Sequence, residues 1–169
     1  MKILYILRKI LIFVSIYLII DVIFFNLLPK DLKSSLYNNR AHRIKSFYYH
    51  HDLRPMASFY DHWGYERYKI YTNELGFKDK SNRKIKFKKR NILFIGDSFT
   101  EGVGLKYEDT YVGIIENKLK KKYKDIEILN AGVQSYSTSI YLSKIYYLLN
   151  KRKLPITDIV VMGFRWRYF

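Results

Sequence analysis

The sequence predicts an α/β domain built on a parallel sheet and carried behind a single N-terminal membrane-spanning helix. Three observations lead there. Residues 10–28 are apolar except for Ser15, Asp21 and Asn26. Three short apolar runs, at 92–95, 126–129 and 158–162, read as strands covered on both faces. Between them lie two segments of helix length, each opened by a capping residue and closed by lysines.

The apolar run comes first in the chain. It is long enough to cross the ~30 Å hydrocarbon core of a bilayer as a helix. A basic start, Lys2, Arg8 and Lys9, also suits a cleaved signal peptide, but no small-x-small site follows, and 24–28 is bulky. A buried amphipathic helix would carry a polar face, and this segment is apolar all round. An uncleaved anchor over 1–29 is therefore expected. Lys2, Arg8 and Lys9 on one side oppose Lys30, Lys33, Arg40, Arg43 and Lys45 on the other, so charge alone does not orient it.

The formal net charge is +16 and the pI near 9.8. That balance suits anionic headgroups or nucleic acid. The densest run, 84–90 (KIKFKKR), has no zinc-finger spacing or aromatic RNA-binding signature beside it. A solvated or headgroup-facing role is expected, and nucleic acid is not. No cysteine is present, so a disulfide framework plays no part. The 17 tyrosines and 11 phenylalanines supply a packed core, which excludes global disorder.

After the anchor, 30–60 reads as a polar, basic connector with a short helix. In 61–90, a small aromatic segment, Tyr65, Tyr68, Ile70 and Tyr71 suggest short strands. A turn at 73–76 follows them, then a charged bridge at 80–90. The α/β domain occupies 91–169. Its first helix is capped by Asp109 or Thr110 and presents Tyr111, Ile114, Ile115 and Leu119. Its second starts at Ser137 or Ser139, presents Ile140, Ile145, Leu148 and Leu149, and ends before Pro155. Strand, helix, strand, helix, strand with short connections gives a parallel sheet with its chemistry at the carboxyl ends of the strands. Three strands make a small sheet, with both edges expected bare.

Those carboxyl ends are 96–102, 130–137 and Gly163 onward. The first reads Gly96-Asp97-Ser98-Phe99-Thr100-Glu101-Gly102. A tight turn after a buried strand exposes a hydroxyl and aims backbone N–H groups at an attacked carbonyl. Ser98 is thus a candidate nucleophile. Gly96 allows the turn, Gly102 lets the chain leave it closely, and Asp97 and Glu101 shape the loop.

GDSFTEG after a hydrophobic strand resembles the first block of the SGNH (GDSL) hydrolases, Gly-Asp-Ser-x-(Ser/Thr)-x-Gly, in which Thr100 takes the Ser/Thr place. The stretch from Asn130 through Gly132 to Ser137, NAGVQSYS, resembles their second block, Asn-x-Gly-x-x-(Gly/Ala/Ser). Residues 71–79, YTNELGFKD, are similar to a Thr-Asn-x-x-Gly-Phe-(Arg/Lys)-Asp stretch that precedes the domain in membrane-anchored relatives. The resemblance implies a three-layer α/β/α flavodoxin-like fold. In it Ser98 is the nucleophile, and the N–H groups of Ser98 and Gly132 form the oxyanion hole. It implies a single-pass membrane esterase or acyl hydrolase on the extracytoplasmic side, acting on acylated carbohydrate or another ester, or transferring the acyl group to surface polysaccharide. No cofactor or metal is called for.

The departures are as specific. The family places an Asn after the third strand, where this chain has Gly163-Phe164-Arg165-Trp166-Arg167. Its Asp-x-x-His base lies late in the domain, whereas His42, His50, His51 and His62 all precede Ser98; they read as polar connector residues, with the folding back of His50, His51 or His62 as a base the alternative. The chain thus reads as a hydrolase cut short after its third strand. An inactive truncated chain and a phosphate-binding flavodoxin-like module are the alternatives. Asp97 in the turn would repel a phosphate.

Overall fold

A computed structural model of the chain describes residues 2–29, 42–64 and 66–163. It falls into two units, Met1–Asn39 and Arg40–Phe169. Of the connector expected over 30–60, residues 42–60 form strands and turns and no helix, while 30–41 and the tail after Gly163 lie outside the described residues.

The first unit is helix α1 (Lys2–Leu27), of which Ile3–Leu27 is long and apolar enough to cross a membrane. At 1.5 Å per residue it rises ~37 Å, more than a hydrocarbon core requires. Its polar side chains turn back on the helix. Ser15 Oγ donates to the Leu11 carbonyl (2.8 Å) and Asn26 Nδ2 to that of Val22 (2.9 Å), so both donors are paired without water.

The second unit opens with an antiparallel hairpin, β1 (Arg43–Lys45) and β2 (His51–Leu53). Six further strands follow: β3 (Ser58–Trp63), β4 (Glu66–Thr72), β5 (Lys78–Asp79), β6 (Arg90–Gly96), β7 (Ile126–Asn130) and β8 (Asp158–Met162). They form one mixed sheet in the order β3-β4-β5-β7-β6-β8. β7, β6 and β8 run parallel. β3, β4 and β5 pair antiparallel, and β5 joins β7 at Lys78–Asn130.

This corrects the expected sheet of three parallel strands with two bare edges. The edge beside β7 is covered because 58–79 builds strands of its own. Tyr68, Ile70 and Thr72 alternate inward along β4. Asn73 then folds the chain back, its Oδ1 accepting from the N–H groups of Leu75 (3.0 Å) and Phe77 (3.2 Å). Gly76, at φ +80°, completes the turn. A Cβ there would lie 2.6 Å from the Leu53 carbonyl oxygen.

The pleat of β6 sends alternate residues to opposite sides. Ile92 and Phe94 pack with Val112, Ile126 and Ile128 beside helix α2 (Tyr111–Lys122). Leu93 packs with Leu129, Phe77 and Leu148, and Ile95 with Leu53, Val133 and Tyr141. Leu148 and Tyr141 belong to helix α3 (Thr138–Tyr146) and the π-helical turn Tyr147–Lys151 that extends it.

Thr110 caps α2, its side chain accepting from Gly113 N–H (3.0 Å). The buried face of α2 is Val112, Gly113 and Glu116, while Ile114 is exposed. Of the expected face, Tyr111, Ile115 and Leu119 pack against the core and only Ile114 does not; Gly113 lies close on the Tyr107 carbonyl, where a Cβ would come within 2.1 Å. In α3 the buried surprise is Lys144. Its Nζ donates to Asp52 Oδ1 (2.9 Å) and the Ala131 carbonyl (3.1 Å), among the rings of Tyr49, Phe77 and Tyr136. Burial lowers its pKa and Asp52 opposes that shift.

Candidate functional site

Strand β6 ends at the serine turn. A Cβ on Gly96 would fall 2.1 Å from Thr100 Oγ1 and 2.7 Å from the Met162 carbonyl oxygen, so only glycine fits between the turn and β8. Asp97 caps the single helical turn Ser98–Glu101, its Oδ1 accepting from Phe99 N–H (3.0 Å). Gly102 closes that turn at φ +71°. Thr100 is fully buried, and its Oγ1 accepts from Tyr111 Oη (3.0 Å). Ser98 is half-buried, and its hydroxyl bonds no described residue.

The loop after β7 locks onto this turn. Asn130 Nδ2 donates to the Thr100 carbonyl (2.8 Å), and Asn130 Oδ1 accepts from Gly132 N–H (3.1 Å). A Cβ on Gly132 would lie 2.6 Å from Thr100 Cβ and 2.7 Å from Glu101 N. Gly132 therefore presses on the backbone that follows Ser98, with its own N–H directed at Asn130.

A third segment holds both loops. Arg43 Nη2, on β1, donates to Glu101 Oε1 (3.0 Å) and Oε2 (3.1 Å) and to Gln134 Oε1 (3.0 Å). Glu101 is 1% exposed and also accepts from Gln134 N–H. On β2, His51 Nε2 lies 2.8 Å from the Gln134 carbonyl oxygen, which fixes the proton on Nε2. His51 Nδ1 meets His50 Nδ1 at 2.6 Å, a contact that holds one proton between the rings. Burial lowers the pKa of His51, and the bond to Gln134 acts against it.

Lys78 supports the turn from below. Its buried Nζ donates to the carbonyls of Gly102 (2.7 Å) and Leu105 (2.6 Å), and burial lowers its pKa to about 8. His42 is buried and stacked on Phe59 (4.4 Å between centroids), with no hydrogen bond at Nε2 among the described residues. Burial and then Arg43 depress its pKa, while Asp61 opposes them. His62 lies on β3. Among the described residues no histidine bonds Ser98, and no cluster of side chains could hold a metal ion.

A cleft of ≈ 80 Å³ adjoins the turn, lined by Asp97, Phe99, Thr100, Tyr111, Met162 and Gly163. It lies at the carboxyl ends of β6 and β8. A larger cavity, ≈ 680 Å³, lies at the opposite end of these strands, around Arg90, Ile126 and Asp158.

Sequence reasoning singled out Ser98, Gly96, Asp97, Thr100, Gly102, Asn130 and Gly132, and the fold gathers all seven. It missed Arg43 and Gln134, whose side chains meet across 91 residues, and read His51, 83 residues from its partner, as a connector histidine. Lys78 and Gln134 carried a signal, as members of the YTNELGFKD and NAGVQSYS stretches. The chain matches no known family model and no curated protein.

Proposed function

We propose that the chain is a membrane-anchored serine hydrolase of SGNH type, with Ser98 attacking an ester carbonyl. One observation carries the reading: the serine turn sits where the crossovers reverse. The parallel strands in chain order are β6, β7 and β8, yet β6 lies between the other two. That is the beginning of the flavodoxin-like order, in which ligands bind at the carboxyl ends beside the first strand. The cleft beside Asp97 and Met162 occupies this switch point. Core residues on both faces of β6, packed by α2 and α3, favour the three-layer arrangement.

In the proposed reaction Ser98 Oγ bonds the acyl carbon and gives its proton to solvent water; the ester C–O bond then breaks, and the leaving oxygen takes a proton back from water to depart as the alcohol. The oxyanion takes N–H bonds from Ser98 and from Gly132, the latter shared with Asn130 Oδ1. Asn130 and Arg43 act by keeping the two loops together. The acyl-enzyme is then resolved by water or by a sugar hydroxyl. The resemblance supports acylated carbohydrate or another ester as substrate, on the extracytoplasmic side of the membrane.

With no histidine bonded to Ser98, slow reaction is expected, since a triad without its base keeps only residual catalysis. The test is labelling of the full chain in membranes by a fluorophosphonate probe. Labelling above that of Ser98→Ala supports the reading. Labelling equal to Ser98→Ala, or tight binding of inorganic phosphate at the turn, overturns it.

A further inference from the structure

The hairpin tip and the outer side of α3 share a surface that the proposed chemistry does not use. Phe47 is 97% exposed, Leu142 70%, Tyr146 60% and Tyr48 53%. A phenylalanine left almost entirely in water is unusual, and here it has company. Its ring meets Tyr48 edge-on at 5.4 Å, and Tyr48 stacks on Tyr147 at 4.3 Å. Tyr48, Leu142, Tyr146 and Tyr147 line one groove with Lys151. The patch is therefore continuous from the hairpin to the helix.

Its charge is of one sign. Lys45 is exposed on β1, and Lys151, Arg152 and Lys153 are exposed where the helix ends. Between Gln134 and Thr157 the sequence has no Asp or Glu. The one carboxylate of the hairpin, Asp52, is buried against Lys144. Aromatic rings with a polar tip, flanked by lysine and arginine and free of exposed carboxylates, match the chemistry of a bilayer interface. The rings settle at headgroup depth and the cations meet anionic phosphates.

We propose that this face, Phe47, Tyr48, Leu142 and Tyr146 with Lys151, Arg152 and Lys153, docks on the headgroup layer of an anionic membrane. The occupant is a lipid surface because the charge is complementary to it. The chain also carries its own candidate span, so such a surface is present at high effective concentration. The proposal does not depend on the reactivity of Ser98.

The chain has no cysteine, so single labels can be placed at will. Phe47→Cys, and Asn117→Cys on exposed α2 as the reference, carry a polarity-sensitive fluorophore in the full chain, reconstituted in nanodiscs. Lipids bearing a nitroxide at headgroup depth are the quencher. Docking predicts blue-shifted, strongly quenched emission at position 47 in discs containing phosphatidylglycerol, and little quenching at 117. Joint reversal of the three cations (Lys151→Glu, Arg152→Glu, Lys153→Glu), raised salt, or phosphatidylcholine alone lowers the docked-to-free ratio by at least about tenfold. The proposal is overturned if position 47 is quenched no more than 117. It is overturned equally if its quenching ignores lipid charge and the reversal. A blue shift that grows with the number of chains per disc, without quenching, assigns the face to a second copy instead.

Discussion

Replacing Arg43 by methionine keeps an unbranched apolar stem and removes the guanidinium. Glu101, 1% exposed, then loses the donor that binds both its oxygens and retains the N–H of Gln134. A buried carboxylate stripped of its cation costs about 3–5 kcal/mol, a large part of the ~5–15 kcal/mol that holds a domain folded. With a urea slope of about 2 kcal/mol per molar, the unfolding midpoint of Arg43→Met should fall by roughly 2 M. The assay is urea unfolding of the full chain in detergent, followed by tryptophan fluorescence. Adding Glu101→Gln removes the stranded charge, so the double variant should be more stable than Arg43→Met alone by at least about 1 kcal/mol. A loss under about 1 kcal/mol in Arg43→Met at unchanged slope, the value of an exposed pair, would refute the reasoning.

Gly132→Ala places a methyl against Thr100 Cβ and Glu101 N, so it should cost about 1–3 kcal/mol by the same assay and reduce Ser98 labelling as the loops part. Lys78, with its pKa lowered to about 8, makes stability rise with alkalinity. Between pH 8 and the ordinary lysine value of 10.5 the unfolded chain holds a proton that the folded chain has released. Wild type should therefore gain up to about 3 kcal/mol over Lys78→Met across that window, and parallel pH profiles would rule this out. His42 works on the acid side. Its folded pKa lies below 6.5, so stability is lost as pH falls below that value and only the unfolded chain takes the proton. His42→Phe keeps the stack on Phe59 and should flatten the acid limb of a stability-against-pH profile.

Much of the parallel part of the sheet could be read from the chain. Apolar runs bounded by glycine and asparagine placed β6, β7 and β8 within two residues of their observed ends, because strands buried on both faces leave a one-dimensional signal. Thr110 was legible as a cap for the same reason: its partner, Gly113, is three residues away. The hairpin was not legible. β1 and β2 are three residues each, and what holds them is Arg43 on Glu101, His51 on Gln134 and Asp52 on Lys144, contacts across 58 to 92 residues. Long-range pairs of charges have no period, so they look like the solvated charge found elsewhere in a strongly basic chain. On α2 the apolar period placed Tyr111, Ile115 and Leu119 on the core and failed only at Ile114, where the close-packed Gly113 and the buried Glu116 share the face.

Strand β8 closes the sheet on one side, and Ile159, Val161 and Met162 on it are partly or largely exposed. Among the described residues its outer backbone groups have no strand beside them. A bare apolar edge is a template for a further strand from any source. If the apolar helix Ile3–Leu27 holds the chain in a bilayer, as proposed, crowding takes place in two dimensions, and neighbouring edges meet at a frequency set by surface density. The more densely such a membrane is loaded, the more often two such edges would meet. A lysine facing outward from the middle of β8 would act as a gatekeeper there.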